Sequence, residues 1–316
     1  MLKKSKYYAK MLPIVGLLTG GIFSCSSERQ ETPTKGRSSI IVSESVLPAI
    51  RQEKEKFENL YDQAKITMQT TTTRDAIVQF FNCDTIKLVV SSRPLNEEER
   101  SVAKRYKLEF DSYKVAIDGI AIIVHNENPI AQLRTTQLDS IFRGEITKWS
   151  AVGWKSSGKS ISICLPDQNS GEFEIIGTRI LHGGKFTPVD TIVHTSPEMI
   201  VYVSRHPSSI GIVGMSWLKQ YPEKVKVLAL SDPAAPESLG LRGKYFTPHQ
   251  AYVYQNYYAL PSEVYIYSRT DLYSVGSGFI SFMMSAAGQQ IILYNGLVPT
   301  TMPVRLVELT NKGIQP

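Results

Sequence analysis

Hydroxyl side chains gather at three places where a short apolar run gives way to a helical pattern: Ser43-Glu44-Ser45, Thr70-Thr71-Thr72-Thr73 and Ser91-Ser92-Arg93-Pro94. Turns of this composition can hold an anion, because the first backbone N–H groups of a helix lack internal partners and sit at the positive end of its dipole. Three of them facing one crevice would cradle an oxyanion with neutral donors. Ser and Thr are also the residues that cap any helix, so each turn taken alone is equally explained by capping.

The elements around these turns repeat. Ile40-Ile41-Val42 reads as a strand and Leu47 to Tyr61 as a helix with Ile50, Phe57, Leu60 and Tyr61 along one side. Ile66-Thr67-Met68 leads into a helix carrying Ala76, Ile77, Phe80 and Phe81, and Lys87 to Val90 leads into a charged helix from Asn96 to Tyr106. Three β-loop-α cycles predict a parallel α/β sheet, whose ligands sit outside the carboxyl ends of the strands. A second series follows. It comprises a buried strand from Ile120 to His125, a helix within Leu133 to Trp149, and a strand from Ile161 to Cys164. The turn Leu165 to Gly171 opens a helix with Phe173, Ile176 and Ile180. Ser196-Pro197-Glu198 is a further helix start, Ile210 to Gly214 and Val225 to Leu228 are strands, Val264 to Tyr267 carries the chain back, and Ser277 to Tyr294 is a C-terminal helix. About 275 residues exceed what one core covers, so two lobes are expected: 40–119 with 264–316, and 120–263.

Ahead of this body, Lys3, Lys4, Lys6 and Lys10 precede an apolar run from Met11 to Phe23, too short to span a bilayer and read as a signal peptide over 1–24. Ser26 to Ser39 is polar and reads as the rest of a flexible tether, 25–39. The formal charge of +6 falls to +2 once the leader's four lysines are set aside, which removes the case for nucleic acid. Cys83 and Cys164 read as lone buried thiols, although a disulfide between them stays open. Neither the cysteines nor His125, His182, His194, His206 and His249 have metal-ligand spacing, so no metal or cofactor is expected. An enzyme is not expected either, in the absence of a nucleophile elbow, HExxH or P-loop. Tyr252, Tyr254, Tyr257 and Tyr258 could line a sugar site but read better as packing.

From about Ile40 to Pro299 the chain resembles the phosphate-type, PstS-like solute-binding proteins of ABC transporters. The resemblance rests on motifs in order: Ser43-Glu44-Ser45 with Pro48, Ser91 to Leu95, and Val115 to Ala121. Leu138 to Trp149 with Val152-Gly153 follows, then Asn169-Ser170-Gly171, Ile210 to Gly214, and Ser285 to Gln290 with Gly296 to Pro299. Ile141-Phe142-Arg143-Gly144-Glu145-Ile146-Thr147-Lys148-Trp149 is the strongest of them. Ile22-Phe23-Ser24-Cys25 resembles a bacterial lipobox, and the whole looks most like lipoproteins of this type from Bacteroidetes. The resemblance implies a two-lobed type II periplasmic binding protein, each lobe a mostly parallel sheet flanked by helices, with the ligand in the inter-lobe cleft. It also implies capture of phosphate or a similar oxyanion, delivery to ABC permease subunits, a lipid anchor on Cys25 in the cell envelope, and a monomer.

By the same resemblance the anion is held by Glu44, Ser45, Thr72, Ser92, Arg93, Asn169, Ser170 and Gly171. Two positions depart from the family. Pro166 stands where an arginine is usual and Glu172 where a threonine is usual. Arg93 or Arg74 could supply the missing cation. Glu44 or Glu172 could accept a proton that hydrogen phosphate carries and sulfate lacks, whereas the plainer reading turns Glu172 toward its helix start and solvent. An altered site would leave the alternative of a sensor or surface-interaction protein on the same fold.

Overall fold

The computed structural model describes residues 31–155, 158–189 and 191–302. The signal peptide, Cys25, the first part of the tether and the C-terminal tail lie outside the described residues.

Strand β1 (Gly36–Ser43) passes through the three-residue turn Glu44–Val46 into helix α1 (Leu47–Leu60), followed by β2 (Ala64–Thr71), α2 (Thr73–Asn82), β3 (Leu88–Ser91) and α3 (Glu97–Arg105). Strand β4 (Asp111–Val124) then leads to β5 (Gln132–Arg134), α4 (Thr135–Phe142), β6 (Ser162–Pro166), α5 (Gly171–Arg179), β7 (Thr191–Val193) and α6 (Ser196–Arg205). The remainder is β8 (Ser209–Gly214), α7 (Met215–Gln220), β9 (Lys226–Val227), β10 (Ala229–Ser231), α8 (Gln250–Tyr254), β11 (Pro261–Ser268), α9 (Val275–Met284), α10 (Ala286–Tyr294) and β12 (Val298–Pro299).

The main sheet runs β2-β1-β3-β11-β4-β8-β6-β7, with β9 and β12 also pairing with β4. At one end β2, β1 and β3 are parallel, and at the other β8, β6 and β7 are parallel. The antiparallel strands β4 and β11 join the two ends. This is the mixed α/β, mostly parallel architecture expected. Its strands alternate with covering helices because both faces carry Ile, Val and Leu that must leave water.

The expected lobe boundaries fall inside strands. The strand expected from Ile120 begins earlier, at Asp111, and is one element, β4 (Asp111–Val124), so the boundary after Gly119 lies within it. Its first half pairs with β11 and its second with β8. The boundary at 263/264 lies inside β11.

Several expectations about single elements are corrected. Residues 36–39, assigned to the tether, are strand: Gly36 to Ser39 pair with Ala64 to Thr67 through the backbone, which needs no apolar side chain. The helix expected within 133–149 is present as Thr135–Phe142, with Gly144 at φ +80° just beyond it and Trp149 buried in a short turn. The C-terminal helix is two, broken at Ser285, whose extended backbone ends α9 while its side chain caps α10. The strand expected over Val225 to Leu228 is only Lys226–Val227. Cys83 and Cys164 are both free thiols, but only Cys164 is buried; Cys83 is half-exposed. Of the four tyrosines, Tyr258 is buried and donates to the Ile120 carbonyl, Tyr252 and Tyr257 rest on Phe246, and Tyr254 is exposed.

Candidate functional site

The hydroxyl turns meet. Ends of β1, β2 and β6 and the starts of α2, α5 and α6 wall one small cavity of about 20 Å³, lined by Glu44, Ser45, Thr72, Pro166, Asp167, Ser170, Glu172, His194, Thr195, Ser196, Met199 and Ile212. Three of these residues are N-caps whose side chains accept a first-turn amide: Thr72 from Asp75, Ser170 from Phe173, and Thr195 from Glu198. Capping and convergence therefore coexist, since a cap fixes where a helix begins and so where its remaining N–H groups point.

Ser45 sits in the turn after β1. The turn is held from behind by α7: the Ser216 hydroxyl donates to the Ser45 carbonyl at 3.1 Å and the Trp217 indole to the Glu44 carbonyl at 3.0 Å. The Ser45 hydroxyl donates to Glu172 Oε2 at 2.6 Å. Glu44 caps α6 from outside, its carboxylate accepting from the Ser196 amide at 3.1 Å and the Ser196 hydroxyl at 2.9 Å.

Thr72 also donates to Asp75 Oδ2 at 2.7 Å, and Asp75 Oδ1 accepts from the Asn169 amide at 3.3 Å. The Asn169 carbonyl takes the Arg74 amide at 3.0 Å, so the turn before α5 is bound to the start of α2. Behind the cavity, the hydroxyls of Ser43, Thr73 and Ser92 form a buried cluster with spacings of 2.6, 2.8 and 3.3 Å. Gly171 lies directly against it.

Of the eight expected anion contacts, Glu44, Ser45, Thr72 and Ser170 line the cavity, while Ser92, Asn169 and Gly171 support its walls. Arg93 points elsewhere. Its guanidinium grips Glu99 with both terminal nitrogens, at 2.7 and 2.8 Å, and its Nε lies 2.6 Å from Glu174. Arg74 pairs with Glu98 at the surface. Neither fills the place left by Pro166. A larger, open groove of about 560 Å³ borders Arg93, Asn96, Glu174 and Glu263, but the hydroxyl turns do not line it.

Glu172 does not face solvent. It is 3 % exposed, and its Oε1 has no hydrogen-bond partner. Burial pushes its carboxyl above the usual range, against the opposing pull of Ser45. Glu44 is pushed up to about 7, first by burial and then by the charge of Glu172. Asp118, beneath the turn on β4, accepts the Gly119 and Met215 amides at 2.7 and 2.9 Å and is raised to about 8 by burial, with Glu172 adding to it. The cavity and the turn beneath it thus hold carboxyls of weakened acidity, and among the described residues no lysine or arginine lines it. Among the described residues no three His, Cys, Asp or Glu side chains are placed to share a metal ion.

Sequence reasoning missed Asp167, His194 and Thr195 as lining residues. It saw Ser196 only as a helix start, which was the available signal. His194 Nδ1 lies 3.2 Å from Asp167 Oδ2 at the rim.

Helix starts gathered at strand ends, in a sheet joined by two antiparallel strands, define a fold of the periplasmic-binding-protein type. The chain matches the PBP superfamily domain over residues 27–287 and belongs to that family.

Among curated proteins it is similar to the phosphate-binding protein PstS of Staphylococcus saprophyticus, 26 % identical over 84 % of this chain and 78 % of that one. Among solved structures it is similar to an ABC transporter substrate-binding protein from Clostridium perfringens with bound phosphate. The TM-score is 0.71 at 22 % identity, covering 84 % of this chain and all of the other. An ABC-type phosphate transport receptor from Vibrio cholerae superposes with a TM-score of 0.63 at 20 % identity, over 84 % of this chain and 100 % of the receptor. Among the described residues no helix is long and apolar enough to cross a membrane.

Proposed function

We propose that the chain is a solute-binding protein that captures a small oxyanion, inorganic phosphate first among them, and delivers it to the permease of an ABC-type importer. The observation that carries this reading is the convergence of three hydroxyl-capped helix starts and the Ser45 turn on one cavity. Helix starts supply neutral donors, which bind an anion without leaving buried cations unpaired when the guest departs. The names of the curated relatives and the bound phosphate of the Clostridium protein support the choice of ion.

The finer parts of the reading follow from it. Glu44, Ser45, Thr72 and Ser170 contact the guest, with Ser92, Asn169 and Gly171 behind them. The segments 40–119 with 264–316 and 120–263 act as two lobes that close on it, because donors from both are gained only in the closed form. Cys25 carries the lipid that holds the monomer in the cell envelope. The protein binds and delivers; it does not catalyse.

Calorimetric titration of the purified protein with phosphate and with sulfate tests the core of this. Saturable heat with phosphate is expected. No heat at millimolar phosphate would leave the alternative, a sensor or interaction protein on the same fold, which the carboxyls in the cavity favour.

A further inference from the structure

On the oxyanion reading above, we propose that the Glu172 carboxylate is a tethered occupant of the anion's place in the cavity, and that a guest enters by taking over the donors that Glu172 holds. An acidic residue in the first turn of a helix ordinarily lies at the surface, where water solvates it and the dipole favours it. Glu172 occupies such a position in α5 but is turned inward and buried. It takes the hydroxyl of Ser45, the residue at the tip of the opposing turn, at 2.6 Å. One oxygen is therefore satisfied by a donor that an anion would need, and the other is buried without a partner.

The charged groups around this carboxylate are mostly acidic, and burial outweighs the opposing hydrogen bonds of Ser45, Ser170 and its own amide. Glu44 from the first turn and Asp118 from β4 face it, Glu198 of α6 adds charge beside Glu44, and Asp167 and His194 stand at the rim. Only His194 among them can carry positive charge, and it is exposed and paired with Asp167. An anion entering beside an ionised Glu172 meets like charge at short range in a place with little water, where such repulsion is poorly screened. Protonation relieves it. The carboxyl then keeps one acceptor oxygen and gains one O–H donor, so the group that competes with the guest at high pH hydrogen-bonds to it at low pH. Binding takes up one proton from solvent for each anion whenever Glu172 starts ionised.

The sign is set by that proton. Burial already raises the Glu172 carboxyl and Glu44 beside it. Affinity is fully expressed at pH values where both are neutral, and declines as pH rises through their titration.

The experiment is calorimetric titration with inorganic phosphate of the wild-type chain and Glu172→Gln, at about pH 5.5 and about pH 8.5, with the proton balance taken from two buffers of different ionisation enthalpy. Glu172→Gln is expected to bind roughly tenfold or more tightly than wild type at the higher pH, with the gap closing at the lower. Wild type is expected to take up about one proton per phosphate at the higher pH, beyond whatever the variant takes up. A variant that binds no better than wild type at both pH values, with matched proton uptake, overturns the proposal and leaves the phosphate reading intact. Heat from neither protein at either pH overturns the phosphate reading and this proposal with it. Glu172→Ala, which removes the side chain altogether, gives the same contrast should the glutamine disturb folding.

Discussion

The backbone of Gly171 lies so close to Ser92 that a Cβ there would stand 2.2 Å from the serine Oγ. The first residue of α5 is thus fitted against the hydroxyl cluster at the ends of β1 and β3 and the start of α2, and no side chain larger than hydrogen leaves that cluster undisturbed. Gly171→Ala is expected to drive the Ser92 hydroxyl off Thr73 and Ser43, costing about 1–3 kcal/mol as overpacking does. Urea unfolding measures it. Ser92→Ala removes the obstructing atom, so Gly171→Ala should cost much less in that background. An equal cost in both would show that the contact is not the cause.

Glu44 is held near neutrality by burial and by Glu172, with Ser196 opposing both. Its carboxyl carbon, followed by NMR, should titrate at about 7. In Glu172→Gln the midpoint should move down, because the second-largest cause is gone. A midpoint in the ordinary glutamate range in the wild type would mean that water reaches the group.

Arg93 looks from its motif like an anion clamp but is spent on two acids. Arg93→Ala leaves Glu99 and Glu174 without their partner, and breaking such a buried pair costs about 3–5 kcal/mol. Arg93→Lys should recover only part of this, because an ammonium cannot grip Glu99 with two nitrogens. Thermal unfolding reads the loss. Phosphate affinity, measured below the melting transition, should change less than it does on substituting Ser45 or Ser170.

Glu53 is fully buried in α1, and neither carboxyl oxygen has a hydrogen-bond partner. Burial raises it to about 9, so it is neutral in the folded chain and ionised in the unfolded chain at pH 7. The folded state therefore binds the extra proton, and stability falls as pH rises from the unfolded value of 4.5 toward the folded one. Asp118 and Glu44 act in the same direction over narrower windows. The melting temperature is expected to decline from pH 5 to pH 9. Glu53→Met should remove a penalty on the order of 3 kcal/mol at pH 7 and almost none near pH 4.5. A variant that melts like wild type at every pH would count against a buried, unpaired acid at this position.

Much of the architecture was readable because it depends on neighbours in the chain. The alternation of Ile40 to Val42, Ile66 to Met68 and Lys87 to Val90 with helical stretches follows from side-chain periodicity, Asn96 marks a helix start by capping, and Ser196-Pro197 marks another by its first-turn proline. Failures came where a distant or single-residue effect overrode the period. Ser285 divides a continuous apolar stretch into two helices, and backbone pairing with β2 draws polar residues 36–39 into a strand. The hydroxyl turns could be named from sequence, but the same residues serve as plain caps, and only their shared cavity separates the two roles.

What the sequence determined by itself was the succession of strands and helices and the placing of Ser45, Thr72 and Ser170 at their junctions, since propensity and capping act within a few residues. Tertiary structure alone decided which way the charged groups turn. Arg93 faces Glu99 and Glu174, and Glu172 abandons solvent for a serine 127 residues away, because the balance between burial and pairing is struck by partners that no local pattern records.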